Sequence, residues 1–271
     1  MFVELRKKLT PYRIKHLVFK RKCFMFFSSR KYANTFINEP LPVKIYNHRS
    51  LIRRKLGNVD MQLQENKASN LKLTCPKVNG IIIKPNEAFS FWRLVGECNE
   101  KKGYKLGLTI NNDNIGEGIG GGMCQFTNLI HWLTLHSPLD ITEYHHHDSF
   151  DLFPDFGRVV PFGCGTSIFY NYVDYQVTNN TDKTFQYLIT TDDEYLIGEL
   201  RCSEELEYKY HIKEVNAFFS KEEDCYYRNN DILREIVDKK SGKIIESKTI
   251  KHNHALVKYD ANYIDEKLLK K

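Results

Sequence analysis

The stretch "TSIFYNYVDYQVTNNTDKTFQYLITTDDEYLIGELRC", residues 166–202, decides the fold class. Its opening segment, residues 166–179, is rich in aromatic and β-branched side chains, which suit a pleated, half-buried surface. "NNTDKT" then offers a turn, "FQYLITTDD" a second apolar run and "EYLIGELRC" a third. Runs of this kind joined by short polar turns read as successive strands.

The same pattern continues outward in both directions. Downstream, "REIVDKKSGKIIESKTI" reads as a hairpin closed by its Lys-Lys-Ser-Gly turn. Upstream, Ile81 to Ile83 form an apolar strand, Pro85-Asn86 make a turn, and "AFSFW" alternates like a second strand. "DITEYHHH" alternates as well. Helical spacing appears in two places. Leu63, Asn66, Asn70 and Leu71 share one face, and Met123, Phe126, Ile130 and Leu133 recur along a predicted helix from Met123 to His136. Ser137-Pro138 ends that helix, because the residue before proline avoids helical geometry. The order predicts an α+β protein: a mostly antiparallel sheet, a basic helical N-terminal segment and a glycine loop that opens into a helix at Cys124. Three regions are expected: a basic helical segment over 1–38, a main domain over 39–260 and a charged tail over 261–271. Pro40 and Pro42 mark the first boundary.

Composition narrows the function classes. The 271 residues are 41% hydrophobic and 27% charged, ordinary for a globular chain with a sizeable core. The net charge is +6, with much of the excess in "LRKKLTPYRIKHLVFKRK" and "NHRSLIRRK". No nucleic-acid-binding signature accompanies these runs, so no nucleic-acid partner is expected. The longest apolar stretch near the N-terminus, "CFMFF", is far short of the roughly 18 residues a membrane span needs. Lys20, Arg21 and Lys22 interrupt the signal-peptide pattern. The expected location is cytoplasmic, with peripheral contact to the inner membrane face through residues 12–30. Cysteines at 23, 75, 98, 124, 164, 202 and 225 form no CxxC pair, so neither a disulfide framework nor a zinc ribbon is expected.

Chemistry is expected around "GIGGGMCQFTNLIHW", residues 118–132. Gly120, Gly121 and Gly122 let the backbone take positive φ and approach a ligand. A thiol at a helix N-terminus meets unpaired amides and the positive end of the dipole, which favour thiolate. Cys124 is therefore the candidate nucleophile, with Gln125 and nearby backbone amides as oxyanion donors. His131 and His136 are too far along the helix to serve it, since seven residues rise about 10 Å. Asn128 lies on the Cys124 face. The better base comes from "YHHHDSFDLFPD": in a strand His145 and His147 share one face and His146 takes the other. His147 or His145 is the candidate base, and Asp151, with Asp148 and Asp155 nearby, the orienting carboxylate. The rival reading makes His145 and His147 metal ligands, with Cys124 or a carboxylate completing a zinc or iron shell. The third is a polar rim that binds without chemistry. Arg158 is a candidate anchor for a carboxylate or phosphate. Trp92 of "FSFW" reads as core or as a pocket wall, and Glu65 and Asn66 as minor pocket candidates.

Five segments, "LPVKIYNHRSLIRRKLGNVDMQLQENKASNL", "FSFWRLVG", "GIGGGMCQFTNLIHWLTLHSPL", "HHHDSFDLFPDFGRVVPFG" and "FYNYVDYQVTNNT", together resemble the VanW family over roughly residues 30–260. The resemblance implies an accessory role linked to glycopeptide resistance and the cell envelope, with a peptide-like or small-molecule envelope precursor as partner. It marks the glycine–cysteine–glutamine and triple-histidine segments as the family's hallmark and assigns them no reaction.

Overall fold

A computed structural model describes residues 2–53, 60–111, 114–146, 149–155 and 157–270. The first half runs α1 (Phe2–Phe27), β1 (Lys31–Tyr32), β2 (Thr35–Phe36), β3 (Val43–Leu51), α2 (Met61–Thr74), β4 (Ile81–Ile83), β5 (Glu87–Ser90), α3 (Phe91–Val95), β6 (Leu106–Asn111) and β7 (Asn114–Ile119). The second half runs α4 (Met123–Leu135), β8 (Asp140–Glu143), β9 (Phe150–Asp151), β10 (Gln176–Thr178), β11 (Phe185–Thr191) and β12 (Tyr195–Cys202). It ends with β13 (Tyr208–Glu222), β14 (Cys225–Asp238), β15 (Ile244–Val257) and β16 (Leu269–Lys270). The strands build three larger sheets, in the orders β1-β5-β10-β8, β2-β4-β11-β12-β3 and β16-β13-β14-β15-β9, plus the β6-β7 hairpin. Most pairings are antiparallel, and the fold is α+β as expected.

The central sheet and α4 define the core. Phe126, Leu129, Ile130 and Leu133 on α4 are fully buried, and β12 alternates buried and half-buried residues. Gly198 sits where a Cβ would come 2.9 Å from both Leu129 and Leu133, so its missing side chain is what lets α4 lie on the sheet. The second large unit is the long meander β13-β14-β15. Arg234 of β14 ties it to the end of α4 by donating to the carbonyls of Leu135 and Ser137.

Several segments differ from their sequence reading for identifiable local reasons. Of residues 166–179 only Gln176–Thr178 is strand. Asn171 takes a left-handed φ of 56°, and the chain folds back so that Phe169 bridges Val173. In "AFSFW" the strand stops at Ser90, whose hydroxyl accepts from the Arg93 amide and caps the short helix α3. Buried Asp174 completes that turn by accepting from the Ser90 hydroxyl and the Trp92 amide. The alternation of "DITEYHHH" ends at Glu143, so His145 and His146 do not lie on a strand. The 15-residue strand β13 is an addition to the expected list. The hairpin turn falls where predicted, with Gly242 at φ 69° between β14 and β15. The strands at Lys31–Tyr32 and Thr35–Phe36 already pair with β5 and β4, so the chain joins the sheets before Pro40. At the other end Leu269 and Lys270 pair with β13.

Candidate functional site

Cys124 opens α4 directly behind the three glycines, and each glycine is required by a neighbour inside the fold. A Cβ at Gly121 would stand 2.3 Å from the backbone carbon of Gly107, one at Gly122 2.5 Å from Lys67 Cγ, and one at Gly120 2.5 Å from Cys98 Cβ. Gly120 and Gly122 also hold φ of 79° and 106°. Asn70 of α2 locks the loop by donating to the carbonyls of Gly121 and Lys105 and accepting from the Lys105 amide. Close chain-to-chain packing therefore accounts for all three glycines, while their outer surface still faces a cleft.

The loop after the histidine run is strapped onto the first turns of α4. Asn128 Oδ1 accepts from the Thr166 amide at 2.6 Å and from the Thr166 hydroxyl at 2.8 Å. The Thr166 and Thr127 hydroxyls lie 2.6 Å apart. This strap brings the Ile168 amide to the Cys124 sulfur. Burial pushes the Cys124 thiol up from its ordinary value, and the amides of Ile168 and of Cys124 itself offset this only in part. The sequence reading expected the helix terminus to favour thiolate. Loss of water around the sulfur outweighs the dipole here.

The remaining candidates separate into those facing the cleft and those turned elsewhere. The amide nitrogen of Gln125 donates both its protons to β3, to the Ser50 hydroxyl and the Leu51 carbonyl, each at 2.9 Å. It fixes helix to strand and has no proton left for an oxyanion. The His145 ring faces Glu143 at 3.4 Å, and its carbonyl accepts from the Ser167 amide. His147 and Asp148 lie outside the described residues. His146, which the sequence reading set aside, lines the cleft. Its Nε2 lies 2.9 Å from where a Gly165 Cβ would stand, with Asn128 Oδ1 3.7 Å from the same point. β8 ends at Glu143, before the histidines, and no local sequence signal marks that end.

Asp151 is buried at the end of β9 and turned toward the C-terminal part of the chain. It accepts from the Tyr259 hydroxyl at 2.9 Å and pairs with Arg228 at 3.4 Å. Burial raises its carboxyl above the usual value, against the pull of Arg158 and Arg228. Arg158 pairs with Asp155 at 3.1 Å and donates to the Phe153 carbonyl. Trp92 is core on most of its surface, donating from Nε1 to the Val173 carbonyl, with an edge at the cleft. Glu65 pairs with Arg53, and Asn66 donates to the Leu106 carbonyl, so both serve packing. His131 and His136 are buried structural residues, as expected. His131 stacks on Tyr144 and His136 stacks on Tyr46. Among the described residues no group of three His, Cys, Asp or Glu is placed to hold a metal ion.

Around Cys124 these residues enclose a cleft of about 1700 Å³. Its floor is the glycine turn, Cys124 and Asn128. Its walls carry His146, Thr166, Trp92 and Tyr170, and its rim includes Arg158, Lys258 and Tyr259. Apolar walls with a few convergent polar groups are the usual make-up of a ligand site.

Fold and site together define an α+β protein with a large cleft over a cysteine at the head of its central helix. The chain belongs to the VanW family: the family model described as "VanW like protein" matches residues 66–201. It is 34% identical over 261 residues to the vancomycin B-type resistance protein VanW of Enterococcus faecalis (strain ATCC 700802 / V583), covering 94% of both chains. It is also 30% identical over 83 residues to the uncharacterized protein YoaR of Bacillus subtilis (strain 168), covering 31% of this chain and 27% of that one. No solved structure matches the chain. No helix among the described residues is long and apolar enough to cross a membrane.

Proposed function

We propose that this VanW-family chain takes part in the response to vancomycin-type antibiotics by binding a peptide-like precursor of the cell envelope in the cleft over Cys124. The cleft's size carries the reading: about 1700 Å³ exceeds what a drug-sized ligand fills and suits an extended oligomeric one. Arg158 and Lys258 at the rim suit a terminal carboxylate. The name of the Enterococcus relative supports the resistance context. Calorimetric titration of the full chain with a synthetic peptidoglycan stem peptide tests the proposal. Saturable binding that weakens about tenfold in Arg158→Ala is expected for loss of a charge-assisted contact. No heat of binding up to millimolar peptide would contradict it.

A second reading makes Cys124 a nucleophile for acyl transfer, aided by an imidazole of the 145–147 run. The specific support is the sulfur's position between the Ile168 amide and its own, donors suited to stabilising thiolate, with His146 lining the same cleft. Intact-mass analysis after incubation with an activated acyl-peptide separates the two. A covalent adduct lost in Cys124→Ala supports catalysis, and binding without an adduct supports the first reading.

A further inference from the structure

Helix α1 is fastened to the body by one side only. Arg21 makes a bidentate pair with Glu143, at 2.5 and 2.6 Å, which also accepts from the Asp174 amide and the Gln176 side chain. Met25, one turn on, is buried with Tyr32 and Ala88. Ile14, Leu17 and Val18 complete the half-buried side. At about 100° per residue these positions share one face.

The opposite face is apolar where an exposed helix would normally be polar. Tyr12, Phe19 and Phe26 follow one another at intervals of seven residues and are 71%, 66% and 81% exposed. Phe27, also 81% exposed, lies beside them. Exposed Lys15 and Lys22 flank this aromatic stripe on one side and Lys20 on the other. Residues 5–38 contain no Asp or Glu at all.

We propose that this outward face of α1 lies in the plane of an anionic phospholipid surface, with the aromatic rings sunk to the acyl boundary and the lysines at headgroup level. Charge complementarity selects the occupant. A second copy would bring the same cations against Lys15, Lys20 and Lys22, whereas an anionic headgroup layer neutralises them. An aromatic stripe rimmed by long cationic side chains is the composition of in-plane interfacial helices, whose lysines reach back to the headgroups. The helix is not apolar enough to span. The inference is independent of what the cleft binds.

Co-sedimentation of the full chain with vesicles tests it. Vesicles of equal parts phosphatidylglycerol and phosphatidylcholine are expected to carry the protein down, and phosphatidylcholine alone to leave it in solution. About 1 M salt should release it, because screening shortens the reach of the lysines. Lys20→Gln with Lys22→Gln should weaken binding by roughly thirtyfold, at about one kilocalorie per cation near such a surface. Phe19→Ser with Phe26→Ser should weaken it about tenfold or more. All four positions are exposed, so unchanged thermal unfolding serves as the folding control. Three results would overturn the proposal: failure to sediment with anionic vesicles, equal binding to neutral ones, or a dimer abolished by the Phe variants in a protein that binds no lipid.

Discussion

At Cys124 two opposing effects meet on one atom. The helix terminus and the Ile168 amide stabilise thiolate, while burial among Asn128, Thr166 and the glycine turn destabilises it, and burial prevails. A thiol raised in this way alkylates slowly at neutral pH and accelerates only above the ordinary cysteine range. We therefore expect Cys124 to react with iodoacetamide more slowly than exposed Cys225 at pH 7, with the gap narrowing as the pH rises. Site-resolved mass spectrometry of the labelled protein measures both rates together. Faster labelling of Cys124 at pH 6 would mean that an unseen partner activates it. The glycine motif and the cysteine were legible in sequence because both are local. The force that sets the thiol's character was not, since Thr166 and Ile168 reach it across some forty residues.

At the scale of elements, α4 carries the clearest consequence of burial. His131 and His136 are enclosed, and loss of water drives their pKa values down to about 3 and about 4. Both folded values lie below the unfolded value near 6.5, so the unfolded chain binds more protons as the pH falls. Stability is then fully present above about pH 6.5 and lost on acidification below it. Each histidine is expected to remove roughly 2 kcal/mol between pH 7 and pH 5. Asp174, pushed up to about 6 by burial, acts the opposite way and returns roughly 1 kcal/mol over the same range. Urea unfolding across this range should show a net loss toward pH 5, reduced by about two-thirds in His131→Phe. A flat profile would show that neither imidazole is held neutral.

The same helix shows which parts of the fold a sequence discloses. Its period of 3.6 and its Ser137-Pro138 stop identify it without tertiary knowledge, and the Lys-Lys-Ser-Gly hairpin is equally local. Phe91 and Trp92 alternate as strand residues do, yet Ser90 and the distant Asp174 cap them into a turn of helix. Residues 166–175 have strand composition, yet the left-handed turn at Asn171 folds them back, with Ile168 and Tyr175 buried in the core. That His146 lines the cleft off any strand depends on where β8 leaves its neighbour β10, which is a long-range fact.

Across the whole molecule the cleft is assembled from parts distant in sequence. Its floor comes from the β7-to-α4 turn, one wall from the loop before β10, and part of its rim from the segment after β15, where Tyr259 holds Asp151. Arg228 is buried between Asp151 and Asp155 and fastens that rim to the meander. Arg158 of the rim was legible in the sequence, whereas Tyr259 and Arg228 lie outside the stretches that drew attention. We propose that this assembled cleft, with Cys124 in its floor, receives a peptide-like envelope precursor. The most direct measurement is the labelling rate of Cys124 by iodoacetamide at about pH 9, with and without saturating stem peptide, and with Cys225 as internal control. Bound peptide is expected to slow labelling of Cys124 several-fold and to leave Cys225 unchanged. Equal rates at Cys124 in the presence of bound peptide would place the ligand elsewhere and contradict the claim.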